Sequence, residues 1–155
     1  MSSPANEADV AHVLRRAAQE CQSIHGIWLG AGLPQALSGS IEHLTEPQSA
    51  KLAFVEVASV SPSGSATTAY APPVLRCPII GLSASDYDRF DSLIQARDET
   101  GIAIRRLICP FALFDFGPNG LIVREIRQGL TAADLQQKLD EPLWAGPDLK
   151  ELGTR

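Results

Sequence analysis

Apolar residues early in the chain fall at Val10, Val13, Leu14, Ala17 and Cys21, the three-and-four spacing of one helical face, with Arg15, Arg16, Gln19 and Glu20 largely opposite. This predicts a helix running from a cap at Asn6 to about Ser23, with Asp9 in its first turn. Residues 24–30, IHGIWLG, read as a short strand that delivers the chain into Gly30-Ala31-Gly32-Leu33-Pro34. A second helix is expected over 35–44, stopped by Pro47. The stretch 51–60, KLAFVEVASV, is apolar and β-branched enough to be a largely buried strand.

Periodicity is lost over 61–73, where Ser, Gly, Thr and Pro collect, and a flexible loop is expected there. It resumes over 74–82 as a strand, which Pro78 should place at an edge or a bulge. Ser85 is the expected cap of a helix with Asp88 three residues on, an apolar stripe of Tyr87, Phe90, Leu93 and Ile94, and Gly101 past its end. Residues 102–116 form a long extended stretch interrupted by Pro110. PFALFDF and LIVREI then make a hairpin through Gly117-Pro118-Asn119-Gly120. After Gly129, Thr131 and Asp134 have capping-box spacing at the head of a last helix, flanked by Leu130 and Leu135. Strands alternating with helical segments predict a layered α/β fold, its mainly parallel sheet flanked by helices and closed by a C-terminal β-hairpin and helix. No repeat or boundary divides the chain, so residues 1–155 are read as a single domain.

Composition narrows the function classes. The chain has 155 residues, a formal charge of −5 and 20% charged residues, so it offers no broad basic field for a nucleic-acid partner. Its start has no basic-then-apolar leader, and no apolar run reaches the ~18 residues of a membrane span, so a cytoplasmic protein without a membrane partner is expected. Cys21, Cys77 and Cys109 are widely spaced, and His12, His25 and His43 lack zinc-finger spacing. Reduced thiols and no metal site are the expectation. The repeated Cys-Pro pairs at 77–78 and 109–110 place both cysteines on strands as small buried hydrophobes.

Two segments carry a resemblance. LFDF, GLIVREIRQG and LTAADLQQKLDEPL, in that order, resemble the closing strands and helix of the β subunit of family I coenzyme A transferases. LRRAAQECQSIHGIWLGAGLPQAL is similar to the opening of the same subunit: helix, strand, and a GxGxP turn made here by Gly30, Gly32 and Pro34. The resemblance implies a CoA-transferase-like α/β fold and transfer of CoA between carboxylic acids through a glutamyl-CoA thioester. It implies no prosthetic group; the CoA thioester is a substrate. The family's nucleophilic glutamate maps to Glu56, the only acidic residue of KLAFVEVAS, and the backbone of Gly30, Ala31 and Gly32 maps to oxyanion or CoA support. The implied partners are an acyl-CoA or small carboxylic acid and either an α-type subunit or a second copy of the chain.

The sequence departs from that pattern at two places. Glu56 is followed by Val57-Ala58 where the family has Asn-Gly, and the middle segment is shorter. A second reading therefore stands beside the first: a non-catalytic ligand-binding or subunit-interaction module on the same fold. In it, Glu56 is a strand carboxylate paired with an arginine or facing a polar crevice, and the glycines only allow close packing. Arg105, Arg106, Arg124 and Arg127 are either phosphate contacts or solvated arginines. His25 is within possible reach of the glycine turn, and Trp28 and Trp144 are expected to pack in the core or an interface.

Overall fold

The computed structural model describes residues 7–95 and 101–151, so the expected Asn6 cap lies outside it. Strand β2 (Leu52–Val60) organises the molecule. Its side chains alternate between two apolar layers. Leu52 and Phe54 join Val13, Ala17, Ile27 and Leu37 on one face, while Ala53, Val55 and Val57 join Phe90, Phe111, Phe114 and Leu135 on the other. A strand that buries both faces needs an apolar residue at nearly every position, which is what the run 51–60 supplies.

The N-terminal helix α1 (Glu7–Glu20) and a 3-10 helix (Leu33–Ser40) cover the first face. The second is covered by α2 (Phe90–Leu93), α3 (Ala132–Gln137) and their flanking segments. Around β2 stand β1 (Ile27–Leu29), β3 (Ser65–Thr68), β4 (Ile79–Leu82), β5 (Ile102–Ala103), β6 (Arg106–Ile108), β7 (Ala112–Gly117), β8 (Gly120–Ile126) and β9 (Leu143–Glu151). The spatial order is β5-β3-β2-β4-β6-β7-β8-β9, with β1 also on β2. The ladders β1–β2, β2–β4, β4–β6 and β8–β9 are parallel. Only β3 and β7 run against the common direction of these described strands. The fold is thus a layered α/β sheet in which most strands point one way, as the sequence predicts.

Several local expectations are corrected. The stretch 61–73 contains β3, which folds back antiparallel on the second half of β2. The Ser61 amide and Ser65 carbonyl close the turn at 2.9 Å. Pro78 marks neither an edge nor a bulge: it precedes β4, which lies between β2 and β6, and its carbonyl accepts from Ala53 N at 3.1 Å. The helix expected over 35–44 is a 3-10 helix, Leu33–Ser40. Asp86, not Ser85, caps the next helical segment by accepting from Tyr87 N. That segment ends at Leu93 as Ile94 turns extended to bridge Val60. Gly101 therefore packs on Ala66 rather than ending a helix. The extended run 102–116 divides into β5, β6 and β7. The hairpin and last helix form as expected, with Gly117 opposite Gly120, Gly129 at φ 93° and a full capping box from Thr131 to Asp134.

Charged residues hold α1 to the distal strands. Arg16 contacts both Glu125 oxygens (2.8 and 2.6 Å) and Glu20 (2.8 Å). Glu20 also accepts from Arg106 (2.9 Å), Arg106 makes a two-pronged bond to Asp115 (2.7 and 3.1 Å), and Arg124 reaches Asp115 at 3.1 Å. Arg16 and Glu20 therefore flank the buried stripe of α1 rather than lying on its far side. Burial pushes the Asp115 carboxyl up, but the hydrogen bonds and charges of Arg106 and Arg124 outweigh it and hold it below its ordinary value. Among the described residues no helix is long and apolar enough to cross a membrane.

A carboxylate with a lowered folded pKa stabilises the fold above its unfolded pKa, about 3.9, and loses that contribution as pH falls through the lower folded value. Asp115→Asn should therefore cost about 1–3 kcal/mol near pH 7. In urea unfolding, the gap to wild type should narrow below about pH 4; a gap unchanged at pH 3 would contradict the assignment.

Candidate functional site

The parallel strands end together on one side of the molecule, the side on which open α/β sheets characteristically receive ligands. Strand β1 stops at Leu29, opposite Phe54, and Gly30 N still donates to Phe54 O at 2.9 Å. The chain then peels away through Ala31 and Gly32. Two residues further along β2, β3 takes over the vacated edge, its approach marked by Ala69 N donating to Glu56 O at 2.9 Å. Glu56 sits at this change of neighbours, opposite Leu82 on β4 and on the same face as Phe54.

The structure thus brings together Glu56 and the glycine turn that the sequence singles out. Glu56 Oε1 accepts from Leu33 N at 2.8 Å, at the entrance of the 3-10 helix. Among the described residues no arginine, lysine or histidine pairs with Glu56. The turn's three amides are not equivalent. Gly30 N is committed to Phe54, whereas those of Ala31 and Gly32, both exposed, donate to no other group among the described residues.

Gly32 has φ 86° and ψ −134°, a conformation costly for any side chain. A Cβ placed there would lie 2.5 Å from Glu56 Oε1 and 2.5 Å from Tyr70 Cε2. The missing side chain therefore lets a carboxylate and an aromatic ring converge on one backbone position. Gln35 Nε2 braces the turn by donating to Leu29 O (3.0 Å) and Gly30 O (3.1 Å). Neither Leu33 N nor Tyr70 is evident from sequence: one is a backbone group, and the other lies in the aperiodic stretch 61–73. An aromatic residue amid Ser, Thr and Pro was the only available signal.

Beyond Glu56, β2 continues. A bulge between Val57 and Ser59 leaves Ala58 exposed, at the positions where the sequence departs from the family's Asn-Gly, and carries the strand on to Val60. The remaining candidates lie elsewhere. His25 is at the other end of β1, its ring 4.1 Å from that of His43, beside a cleft of about 400 Å³ that also includes Cys21 and Glu42. It does not reach the glycine turn. Arg106 and Arg124 belong to the α1 network, and Arg127 pairs with Asp86 at 3.0 Å; of the four arginines considered, Arg105 is exposed.

All three cysteines are free. Burial pushes the Cys21 thiol up to about 11, and raises Cys77 and the fully buried Cys109 as well, so none is poised as a thiolate. Trp28 packs partly into the core, and half-exposed Trp144 donates to Asn119 O at 3.1 Å.

Gly32→Ala should destabilise the protein by about 1–3 kcal/mol through backbone strain. It should also displace Tyr70 or Glu56, visible in urea midpoints and in altered Tyr70 side-chain NMR shifts. A neutral substitution with unmoved shifts would refute this packing.

No family profile and no curated protein sequence matches the chain. Solved structures do. A variant of the decarboxylase AibA/AibB superposes with a TM-score of 0.67 at 10% identity, over 94% of this chain and 89% of that one. The acyl-CoA transferase YdiF of Escherichia coli O157:H7 gives 0.65 at 15% identity, over 97% of this chain but only 44% of its own. Glutaconate coenzyme A-transferase of Acidaminococcus fermentans gives 0.65 at 8% identity, over 99% and 92%. The fold of this chain is that of the coenzyme A-transferases.

Proposed function

We propose that this chain is a CoA-transferase-like subunit that moves CoA between carboxylic acids, with Glu56 as nucleophile. The observation that carries the reading is the Glu56 carboxylate itself. It stands at the carboxyl end of a central parallel strand, held by the amide of Leu33 and neutralised by no cation among the described residues. Oε1 is anchored, which leaves Oε2 to attack.

Attack of Oε2 on an acyl-CoA carbonyl forms an acyl anhydride with Glu56 and expels CoA thiolate. The thiolate adds back to the glutamyl carbonyl, releasing the first carboxylate and leaving glutamyl-CoA. An acceptor carboxylate then attacks the glutamyl carbonyl, forming a second anhydride and freeing the thiolate. Attack of that thiolate on the new acyl group gives the new acyl-CoA and restores Glu56. The amides of Ala31 and Gly32 are the donors suited to the oxyanions of these steps, and the committed Gly30 amide is a support of the turn. CoA enters as substrate, and the chemistry calls for no prosthetic group.

A complete site calls for a second chain, an α-type subunit or another copy. This chain spans less than half of YdiF yet most of the glutaconate enzyme's chain. The reading expects self-association or a partner at micromolar concentration; a clean monomer in sedimentation, alone and with candidate subunits, would remove that element.

A second reading, an interaction or ligand-binding module, is favoured by the strand that continues past Glu56 through the Val57/Ser59 bulge. The fold does not choose between them, since a decarboxylase shares it. Calorimetry with CoA and short acyl-CoAs comes first, followed by hydroxylamine trapping during acyl-CoA incubation. Wild type should give a hydroxamate at Glu56, and Glu56→Gln should bind yet give none. Trapping that is equal in both proteins would end the catalytic reading.

A further inference from the structure

Tyr70 is a large aromatic side chain at this site that the proposed chemistry does not use. Its ring edge and Glu56 Oε1 each lie 2.5 Å from the position a Cβ on Gly32 would take, so the two are no more than twice that distance apart. Tyr70 is 52% exposed, so its ring stands at the surface beside Gly32. Its placement is not independent of Glu56: the preceding residue, Ala69, donates its amide to the Glu56 carbonyl. After Tyr70 the chain runs through Pro72 and Pro73 without regular structure to Pro78. One end of this strap is therefore tied to the strand bearing the carboxylate, while the ring rests on a surface that exists only because residue 32 has no side chain.

We infer that Tyr70 is the gate of the Glu56 site, its ring covering the carboxylate and setting what can reach it. With the ring seated on Gly32, a bulky thioester meets the aromatic face before it meets Glu56. Admission requires the ring to leave Gly32 by side-chain rotation or by movement of the strap beyond the Ala69 anchor. The tie at Ala69 confines that movement to the residues after it, so the gate opens without unzipping β3 from β2. The hydroxyl plays no part, and a phenyl ring does the same work. The significance of the gate for turnover rests on the CoA-transfer reading, but its existence does not.

The test uses a probe unrelated to CoA. Glu56 is modified with a water-soluble carbodiimide and glycine ethyl ester, and labelling rates are read by peptide mass spectrometry. Glu42, whose side chain is 91% exposed, serves as internal reference. Tyr70→Ala should raise the Glu56 rate severalfold with the Glu42 rate unchanged, and Tyr70→Phe should match wild type. Because the ring is half-exposed and outside the two apolar layers, its truncation leaves the core intact, as circular dichroism would verify.

Equal Glu56 rates in all three proteins would overturn the gate, as would a rise shared equally by Glu42, which would signal general loosening. Absence of hydroxamate trapping, with the labelling difference intact, would sink the CoA-transfer reading and leave the gate standing.

Discussion

Burial of β2 on both faces is the constraint from which the rest of the molecule follows. Leu52, Phe54 and their neighbours are nearly inaccessible, and each apolar layer needs a cover of its own. α1 and the 3-10 helix supply one, while α2, α3 and the aromatic group of Phe90, Phe111 and Phe114 supply the other. A strand so enclosed can carry a charge only where enclosure fails. That place is Glu56, where β1 has left and β3 has not yet closed the edge. The site is a consequence of the sheet's change of partner, and the carboxylate finds its hydrogen bond from the chain that is leaving.

The ion network performs a different task. Three arginines and three carboxylates join α1 to β6, β7 and β8, elements far apart in sequence. Desolvation offsets much of what these partly buried pairs gain, and what remains at Asp115 is present only while that carboxyl is ionised. They fix the angle at which α1 lies across the sheet. They also withdraw Arg106 and Arg124 from the pool of cations that could meet a phosphate.

How much was legible depended on the range of the interactions involved. The first helix, the central strand, the hairpin and the last capped helix rest on patterns within a dozen residues: apolar spacing, Pro118 and Gly120 at a turn, Thr131 with Asp134. These were readable and correct. The strand over 65–68 was not, because Ser-Ala-Thr-Thr has no apolar pattern of its own and is a strand only through pairing with β2. Pro78 misled for the related reason that a strand's neighbours cannot be inferred from its residues. His25 was displaced from the glycine turn by three residues of β1, enough to put it at the opposite end of a strand.

Sequence alone determined the first helix, the central strand, the hairpin and the last capped helix, with the two glycines before Pro34 and the single carboxylate on the central strand, because each is a property of chain-local chemistry. It also carried the likeness to the CoA-transferases that the fold bears out. Tertiary structure alone decided that Leu33 N meets Glu56, that Gly30 N is committed elsewhere and that Tyr70 lies over Gly32. Those contacts join residues 23 or more positions apart, through backbone amides and bare Cα positions that every sequence contains and no side-chain pattern announces.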